Sequence, residues 1–600
     1  MVALVSDTRG RIGPLVACVL AIGVAVRLAP LHWSAYPFNP DGFTFARMAE
    51  AFLAAGSLPI GDLMVRPHGF AFPILTAVLS RVAGIEPLWL LQPTIAVVGT
   101  VPALVALALV RRRGIELGWN PRHVWLAAAA AGFALAVEGI YLRRTVTVSY
   151  EVLGLLLVVV VALATHRWLG DRRPAWLAVA LVGLLVLPIT HHLSSMVAAL
   201  TVTALVAVHV HRRPGAALRR GIPLVVGFWA YFCVYYWTTR PPFYGDLAVA
   251  PDVFLAWVIV LVIGAIWLIS TTDRLARVVA GVIFGVGFGV LALNALSPWS
   301  PGTMATPTLL LAAVAPLVVI AGLASRGIGI GRRGRTGPLL VALFSGPLAF
   351  VFFGLTAGVT PEYALFARRG QTFVHLATIA FAALAAVEIG RRREIGRRRE
   401  MGRRRENSRR SENGRRRENS RRSENGRRSA EQRADGSEPF IDDSSRGSRT
   451  GRRSVVSAAL CAALLICALA TLPMAFAGLS VYSYQGTTTH AEFAAGTFAD
   501  AFASGTWAGD DHVTRIAENY HGTDASVTPV YEWVHGGEVP GCVVVVDRAW
   551  TERGAQFYPA PPATLDAAEL DRATVDRQRI YQSGGIDLLV PGEGVASCQA

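Results

Sequence analysis

Apolar runs recur along this chain from residue 12 to residue 477, and they constrain the fold more than any other feature. An α-helix needs roughly 20 mainly apolar residues to cross the hydrocarbon core of a bilayer. Of the 600 residues, 53% are hydrophobic and only 16% are charged, whereas soluble domains carry about 25% charged residues. The pattern therefore excludes a soluble enzyme and a disordered chain, and it predicts a polytopic α-helical membrane protein.

Charge is divided between two segments of opposite sign. Residues 391–453 contain 23 Arg and 11 acidic residues, while residues 477–600 contain 16 acidic residues and 6 Arg. Because Arg-rich loops stay in the cytoplasm, we expect a plasma-membrane protein with a cytoplasmic N-terminus, about 13 transmembrane helices and an extracellular C-terminal domain. The predicted spans are 12–30, 88–110, 122–140, 146–165, 175–190, 193–210, 221–239, 253–271, 275–296, 304–325, 337–358, 371–388 and 454–476.

This arrangement predicts four regions. They are a transmembrane bundle (1–389) with a long first outer loop (31–87), a cytoplasmic loop (390–453), the last transmembrane helix (454–476) and an acidic extracytoplasmic domain (477–600). Residues 67–84 are apolar but short and are predicted to lie on the outer face rather than to span the membrane. The acidic domain alternates short β-like runs with helical stretches, which predicts a small α/β domain. Cys542 and Cys598 could form a disulfide there if this domain is outside the cell.

The cytoplasmic loop contains a hexapeptide repeat, from EIGRRR to ENGRRS, over residues 390–425. The repeat has no apolar face, so we expect a disordered basic segment. Its natural partners are the anionic headgroups of membrane lipids. A nucleic-acid partner is not expected, because no aromatic residues interleave for base stacking.

Ionisable residues gather at the predicted outer ends of the spans. Asp41 follows a turn at Asn39-Pro40, where its simplest role is to cap the following helix, predicted over 43–55 and ended by Gly56. Arg side chains near a membrane boundary often snorkel to headgroups, and paired His residues are often merely interfacial. A shared face nevertheless combines a possible base with phosphate-binding cations. The candidates are Asp41, Arg66, His68, Arg143, Arg144, His191, His192, Glu362, Arg368 and Arg369.

The chain resembles the GT-C superfamily of integral-membrane glycosyltransferases, in its prokaryotic and archaeal forms. A single span is followed by a long outer loop with an acidic motif at 40–56, and the segment 66–73 is similar to the family's Pro-rich segment. Thirteen spans with an outer C-terminal domain is a layout seen in the family. The segment 576–588, DRQRIYQSGGIDL, resembles a strand-forming ending of prokaryotic members.

The resemblance implies an inverting transfer of a sugar from a polyprenyl-phosphate-linked donor to an acceptor on the outer face. It implies that Asp41 is the general base, that Arg368 and Arg369 hold the lipid phosphate, and that Arg143 and Arg144 are reserves for that role. The acceptor is a glycan, a protein or a lipid. The second acidic motif that related enzymes use for a divalent metal is not identifiable, so no metal and no cofactor is expected.

Two other classes of function stay open at the sequence level. A membrane transporter or a lipid-linked-sugar flippase is also polytopic, although such proteins usually carry internal repeats and ionisable residues near the membrane midplane. A non-catalytic envelope protein is the third possibility. Radiolabelled lipid-linked sugar distinguishes the first two classes, because only a transferase moves the label to an acceptor.

Overall fold

Most of the chain is helical. The computed structural model describes residues 2–56, 69–240, 250–297, 305–306, 308–358, 360–427, 455–476, 486–503, 505–557, 560–592 and 598. Its helices are α1 (Val2–Leu28), α2 (Asp41–Ala55), α3 (Ala71–Ala83), α4 (Pro87–Glu116), α5 (Pro121–Val137), α6 (Gly139–Val146), α7 (Tyr150–Asp171), α8 (Pro174–Thr190), α9 (His192–Arg212), α10 (Pro214–Thr239), α11 (Pro251–Ser270), α12 (Asp273–Leu296), α13 (Thr308–Gly331), α14 (Gly337–Thr356), α15 (Pro361–Arg427), α16 (Val455–Ala470), α17 (His490–Phe502), α18 (Asp511–Ile516), α19 (Thr528–Val534) and α20 (Ala567–Val575).

Eleven of the described helices are long and apolar enough to cross a membrane. The number is twelve if α5 and α6 count as one bent span. The described residues therefore contain at least one span fewer than the thirteen that the sequence predicted. The remaining predicted span, 175–190, is α8, which has 17 residues and a length of about 26 Å, short of the roughly 30 Å hydrocarbon core. Helix α3, with 13 residues, is too short to cross, as predicted for this segment.

One span of the bundle is broken. Helices α5 and α6 meet at Glu138 with a bend of 55°, and the Glu138 carboxylate accepts hydrogen bonds from the backbone N–H groups of Ile140 and Tyr141, both at 3.0 Å. The break lies against the last span, because the Gly139 N–H donates to Thr471 Oγ1 at 2.8 Å. A side chain at Gly139 would overlap the carbonyl of Thr471, so this contact requires glycine.

Helix α15 forms the centre of the bundle and extends well beyond it. Residues 376–387 are almost all buried against α13, α14, α5 and α16, and the whole helix has 67 residues, about 100 Å. The hexapeptide repeat was expected to be disordered, and for its part up to Arg427 that expectation is wrong. Glu400 pairs with Arg404 at 2.8 Å and Glu406 with Arg410 at 3.0 Å, and such Glu–Arg pairs four residues apart stabilise helices. The rest of the predicted loop lies outside the described residues.

The C-terminal region is a small α/β domain, as predicted. Its five-stranded sheet has the order β2-β1-β3-β7-β6, in which β7 is antiparallel to both neighbours and the other pairs are parallel; β4 and β5 form a separate hairpin. The strands are β1 (Trp507–Ala508), β2 (Ala525–Ser526), β3 (Val544–Asp547), β4 (Ala555–Phe557), β5 (Ala560–Ala563), β6 (Arg577–Ser583) and β7 (Ile586–Pro591).

Local signals explain two features of this domain. The segment 576–588 forms the β6–β7 hairpin, which turns at Gly584 and Gly585 with φ of 54° and 90°, the left-handed conformation that tight hairpin turns favour. Cys542 and Cys598 are joined by a disulfide, with their Cα atoms 5.2 Å apart. The disulfide thus links the chain just before strand β3 to the chain after strand β7.

Candidate functional site

Asp41 lies at the start of α2, where the loop after α1 meets the bundle. Its expected role as the helix cap is wrong: Pro40 occupies the cap position and α2 has no side-chain cap. The side chain of Asn39 instead accepts a hydrogen bond from the Asp41 N–H at 3.3 Å. The half-buried carboxylate of Asp41 accepts a long hydrogen bond of 3.4 Å from Asn39 Nδ2, so it is available for another role.

The loop that carries Asp41 is fixed to the segment between α6 and α7. Asn39 has a positive φ of 130°, and its Nδ2 donates to the Val148 carbonyl at 3.0 Å. The Val148 N–H donates back to the Phe38 carbonyl at 3.0 Å. A strained backbone that is held by two hydrogen bonds is typical of functional sites, and here it sets the position of Asp41.

His191 and His192 lie at the break between α8 and α9 and are buried, with exposures of 0% and 8%. His191 Nδ1 lies 2.7 Å from Ser194 Oγ, and the His191 ring packs 5.0 Å from the ring of Tyr150. Tyr150 in turn packs against Phe45 of α2, with ring centroids 5.3 Å apart. The pair is therefore an interior element of the same region as Asp41 rather than an interfacial pair.

Glu151 is a buried carboxylate in the first turn of α7, with 4% exposure. The side chain of Ser149 already caps this helix. Among the described residues, Glu151 Oε1 has no hydrogen-bond partner, and burying such a group is costly. Glu151 is next to Tyr150, so it adds a second carboxylate to the region that contains Asp41 and His191.

The four candidate arginines lie on α6 and α15. Arg143 and Arg144 are in the last turn of α6, close to the Val148 segment that holds Asn39. Helix α6 packs on α15, where His375 Nδ1 lies 2.7 Å from Glu138 Oε2. Arg368 is exposed and Arg369 half-buried in the early part of α15, about two helical turns before His375. Within the described part of the chain, no hydrogen bond joins Arg368 or Arg369 directly to Asp41.

The α/β domain contacts the chain on both sides of Asp41, in the loop before α2 and in α2 itself. Ser34 donates to the Thr488 carbonyl at 2.5 Å, and the Tyr36 hydroxyl lies 2.9 Å from His490 Nδ1. Three further contacts reach the turn that follows α18: Asn519 Nδ2 donates to the Pro40 carbonyl (3.3 Å), Tyr520 to Glu50 (3.2 Å) and Arg47 to the Glu518 carbonyl (3.4 Å). We call the boundary formed by these contacts the seam.

Asp511 is the α/β-domain residue that Asp41 affects electrostatically. Burial raises the pKa of Asp511, and the negative charge of Asp41 raises it further, while Arg515 opposes the increase. Arg515 Nε lies 3.0 Å from an Asp511 carboxylate oxygen. The charge of Asp41 in the bundle therefore acts across the seam on a carboxylate of the α/β domain.

A second acidic group lies deeper in the α/β domain. Burial raises the pKa of Asp510 to about 6. Burial also acts to raise the pKa of Glu492, but the charge of His512 and hydrogen bonds from Thr489 outweigh it and lower that pKa to about 2. Burial lowers the pKa of His512, and the surrounding carboxylates reverse this and leave it raised. Sequence reasoning missed this group because its members pair only in the folded domain.

Three candidates have no described side-chain geometry. Arg66 and His68 lie outside the described residues, and so does the side chain of Glu362. Within the described part of the chain, no three His, Cys, Asp or Glu side chains are grouped as a metal site requires.

No protein-family model, no curated protein and no solved structure matches this chain. The class rests on the fold alone: a multi-pass helical membrane protein with a small C-terminal α/β domain.

Proposed function

We propose that this protein is an integral-membrane glycosyltransferase that transfers a sugar from a polyprenyl-phosphate-linked donor to an acceptor on the outer face. The observation that carries the proposal is the position of Asp41 at the seam. Its carboxylate does not cap α2 and accepts one long hydrogen bond of 3.4 Å from Asn39. A general base needs a carboxylate that is placed precisely but is not already fully hydrogen-bonded.

In the proposed reaction, Asp41 takes the proton of an acceptor hydroxyl. The hydroxyl oxygen then forms a bond to the anomeric carbon, while the bond from that carbon to the phosphate oxygen breaks, with inversion. The electron pair leaves on the polyprenyl phosphate, whose added charge requires cations. Arg368 and Arg369 supply them, with Arg143 and Arg144 in reserve, since guanidinium groups bind phosphate in a bidentate manner.

The α/β domain is proposed to hold the acceptor. It contacts the loop before Asp41 and α2 itself, and the charge of Asp41 acts on its residue Asp511 and helps to raise the pKa of that residue. An acceptor that is bound in the seam would therefore reach the base from the side of the α/β domain. The lipid tail of the donor would lie between the spans.

The experiment uses the full-length protein in proteoliposomes with a radiolabelled polyprenyl-phosphate sugar and a mixture of membrane acceptors. We expect Asp41→Asn to lose transfer by at least about 100-fold, since general-base catalysis contributes roughly 10²–10⁴. The matched control is Asp252→Asn, an exposed acidic residue in the first turn of α11, which should keep activity. Wild-type transfer by Asp41→Asn would refute the assignment of the base.

A second experiment addresses the phosphate. Arg368→Gln with Arg369→Gln should weaken binding of the lipid-linked donor, while Arg240→Gln, an exposed residue after α10, should not. If donor affinity is unchanged in the double variant, Arg143→Gln with Arg144→Gln is expected to carry the loss instead. Unchanged affinity in both pairs would reject an arginine clamp.

One observation favours the alternative, a transporter or flippase. The broken span at Glu138 places a buried carboxylate beside His375 inside the bundle, and interrupted helices with internal ionisable residues are typical of transporters. Proteoliposomes with fluorescent lipid-linked sugar in both leaflets test it. Movement of the label between leaflets that Glu138→Gln abolishes, without any transfer to acceptor, would support the alternative.

A further inference from the structure

A cavity of about 260 Å³ opens at the predicted cytoplasmic end of the bundle, at the opposite end from the seam. It lies between the start of α12, the end of α13 and the part of α15 where the basic extension begins. One ordered water needs only about 15 Å³, so a larger group fits. The charged lining residues are Asp273, Arg277, Arg326, Glu388 and Arg392.

Both carboxylates of this cavity are already neutralised. Asp273 pairs with Arg332 at 2.7 Å and with Arg333 at 2.8 Å. Glu388 pairs with Arg391 at 2.8 Å and with Arg392 at 2.7 Å. Each acid therefore has two guanidinium partners, and the surroundings of the cavity carry an excess of positive charge.

Arg277 and Arg326 carry part of that excess. Both side chains are exposed, and in the described part of the chain neither has a carboxylate partner. Arg277 uses its Nε to donate to the Asp273 carbonyl at 2.9 Å, which fixes the guanidinium at the rim of the cavity. Two cations from adjacent helices thus face an opening that has no remaining free anion.

The surface beside the cavity suits acyl chains. Along α12, beyond Arg277, Val278 and Val282 are 56% and 59% exposed, and only Ala276 and Ala280 of this helix are buried. An exposed aliphatic row that leads away from a cationic cavity matches the two ends of a phospholipid. Basic pockets between transmembrane helices on the cytoplasmic side bind anionic headgroups.

We infer that this cavity binds the phosphate of an anionic phospholipid from the cytoplasmic leaflet. Arg277 and Arg326 contact the phosphate, Arg332, Arg333, Arg391 and Arg392 keep the two acids neutral, and the acyl chains lie along α12. The site is separate from the seam and does not depend on the proposed function. It positions the base of the long basic extension of α15 at the membrane surface.

The test is lipid retention by the detergent-solubilised full-length protein, measured by native mass spectrometry during titration with phosphatidylglycerol or phosphatidylcholine. Wild-type protein should retain phosphatidylglycerol more tightly. Arg277→Gln with Arg326→Gln should weaken it about 30-fold, since each Arg near an anionic headgroup contributes roughly fivefold. The control, Arg172→Gln with Arg173→Gln, removes the same charge from exposed positions between α7 and α8, outside both the cavity and the repeat, and should change retention less than twofold.

Three results would overturn the inference: equal retention of both lipids by the wild type, unchanged retention in the double variant, or an equal loss in the control, which would indicate diffuse charge. Complete displacement of the lipid by excess inorganic phosphate would also overturn it, because the site would then bind the free anion. Should the double variant fail to fold, each single glutamine variant is measured and is expected to lose about fivefold.

Discussion

Replacing Glu492 by glutamine should destabilise the α/β domain at neutral pH. Glu492 lies in the first turn of α17, where its carboxylate accepts from the Thr489 N–H at 2.5 Å and lies 3.7 Å from His512 Nε2. Its side chain is 5% exposed. Glutamine also fits the third position of a capping box, so the variant keeps the shape of the helix start and removes mainly the charge.

The size of the effect follows from the pKa of Glu492. That pKa lies at about 2, against a reference value of 4.5, and a difference of roughly 2.5 units corresponds to about 3 kcal/mol. Because the lowered pKa belongs to the folded state, this stability is fully present above the unfolded value of about 4.5 and is lost as pH falls towards 2. At pH 7 we therefore expect a loss of about 2 to 3 kcal/mol.

The assay is hydrogen exchange of strands β3 and β7 in the full-length protein, which reports the free energy of opening. A loss of about 2 to 3 kcal/mol lowers protection by roughly 30- to 150-fold. The control is Glu532→Gln, an exposed residue of α19, which should change protection less than twofold. If Glu492→Gln also changes protection less than twofold at pH 7, the charge of Glu492 does not stabilise this domain and the reasoning fails.

Three other variants have defined outcomes. Because the pKa of Asp510 is raised to about 6, the α/β domain should lose stability as pH rises from about 4 to 6, and Asp510→Asn should flatten the dependence of its melting temperature on pH; an unchanged slope would contradict this. Cys542→Ser removes the bond to Cys598 and should lower the free energy of unfolding of the α/β domain by about 2–5 kcal/mol relative to the oxidised wild type. Under reducing conditions this difference should vanish. Gly139→Ala introduces a clash with the Thr471 carbonyl and should reduce the yield of folded protein on size exclusion, whereas Gly227→Ala, where a side chain meets open space, should not.

Hydrophobic pattern and local signals predicted most elements of this fold. The apolar runs mark the spans, Gly56 ends α2, and the segment 576–588 forms strands as its resemblance implied. These features are local, since the residues that determine them are within a few positions of one another. The sequence alone could not decide whether Cys542 and Cys598 form a disulfide, because a pairing over 56 residues depends on the sheet that brings the two cysteines together.

The features that sequence missed depend on distant partners. The break at Glu138 falls within a continuous apolar run, and the partner of this carboxylate, His375, is on α15. Asp41 was expected to cap α2 because it directly follows the turn at Asn39-Pro40, and only the geometry shows that Pro40 occupies the cap position. The helical continuation of α15 arises from Glu–Arg pairs four residues apart, which a compositional view of the repeat overlooks.

The contact between Gly139 and Thr471 has a consequence for the order of assembly during synthesis. The two residues are 332 positions apart, so α5 and α6 leave the ribosome long before the helix that packs against their junction. The Glu138 carboxylate likewise has no His375 partner until α15 has been synthesised. The early helices therefore cannot reach their final packing until the end of the chain inserts, and we expect truncation before residue 455 to leave an unfinished bundle that quality-control proteases remove.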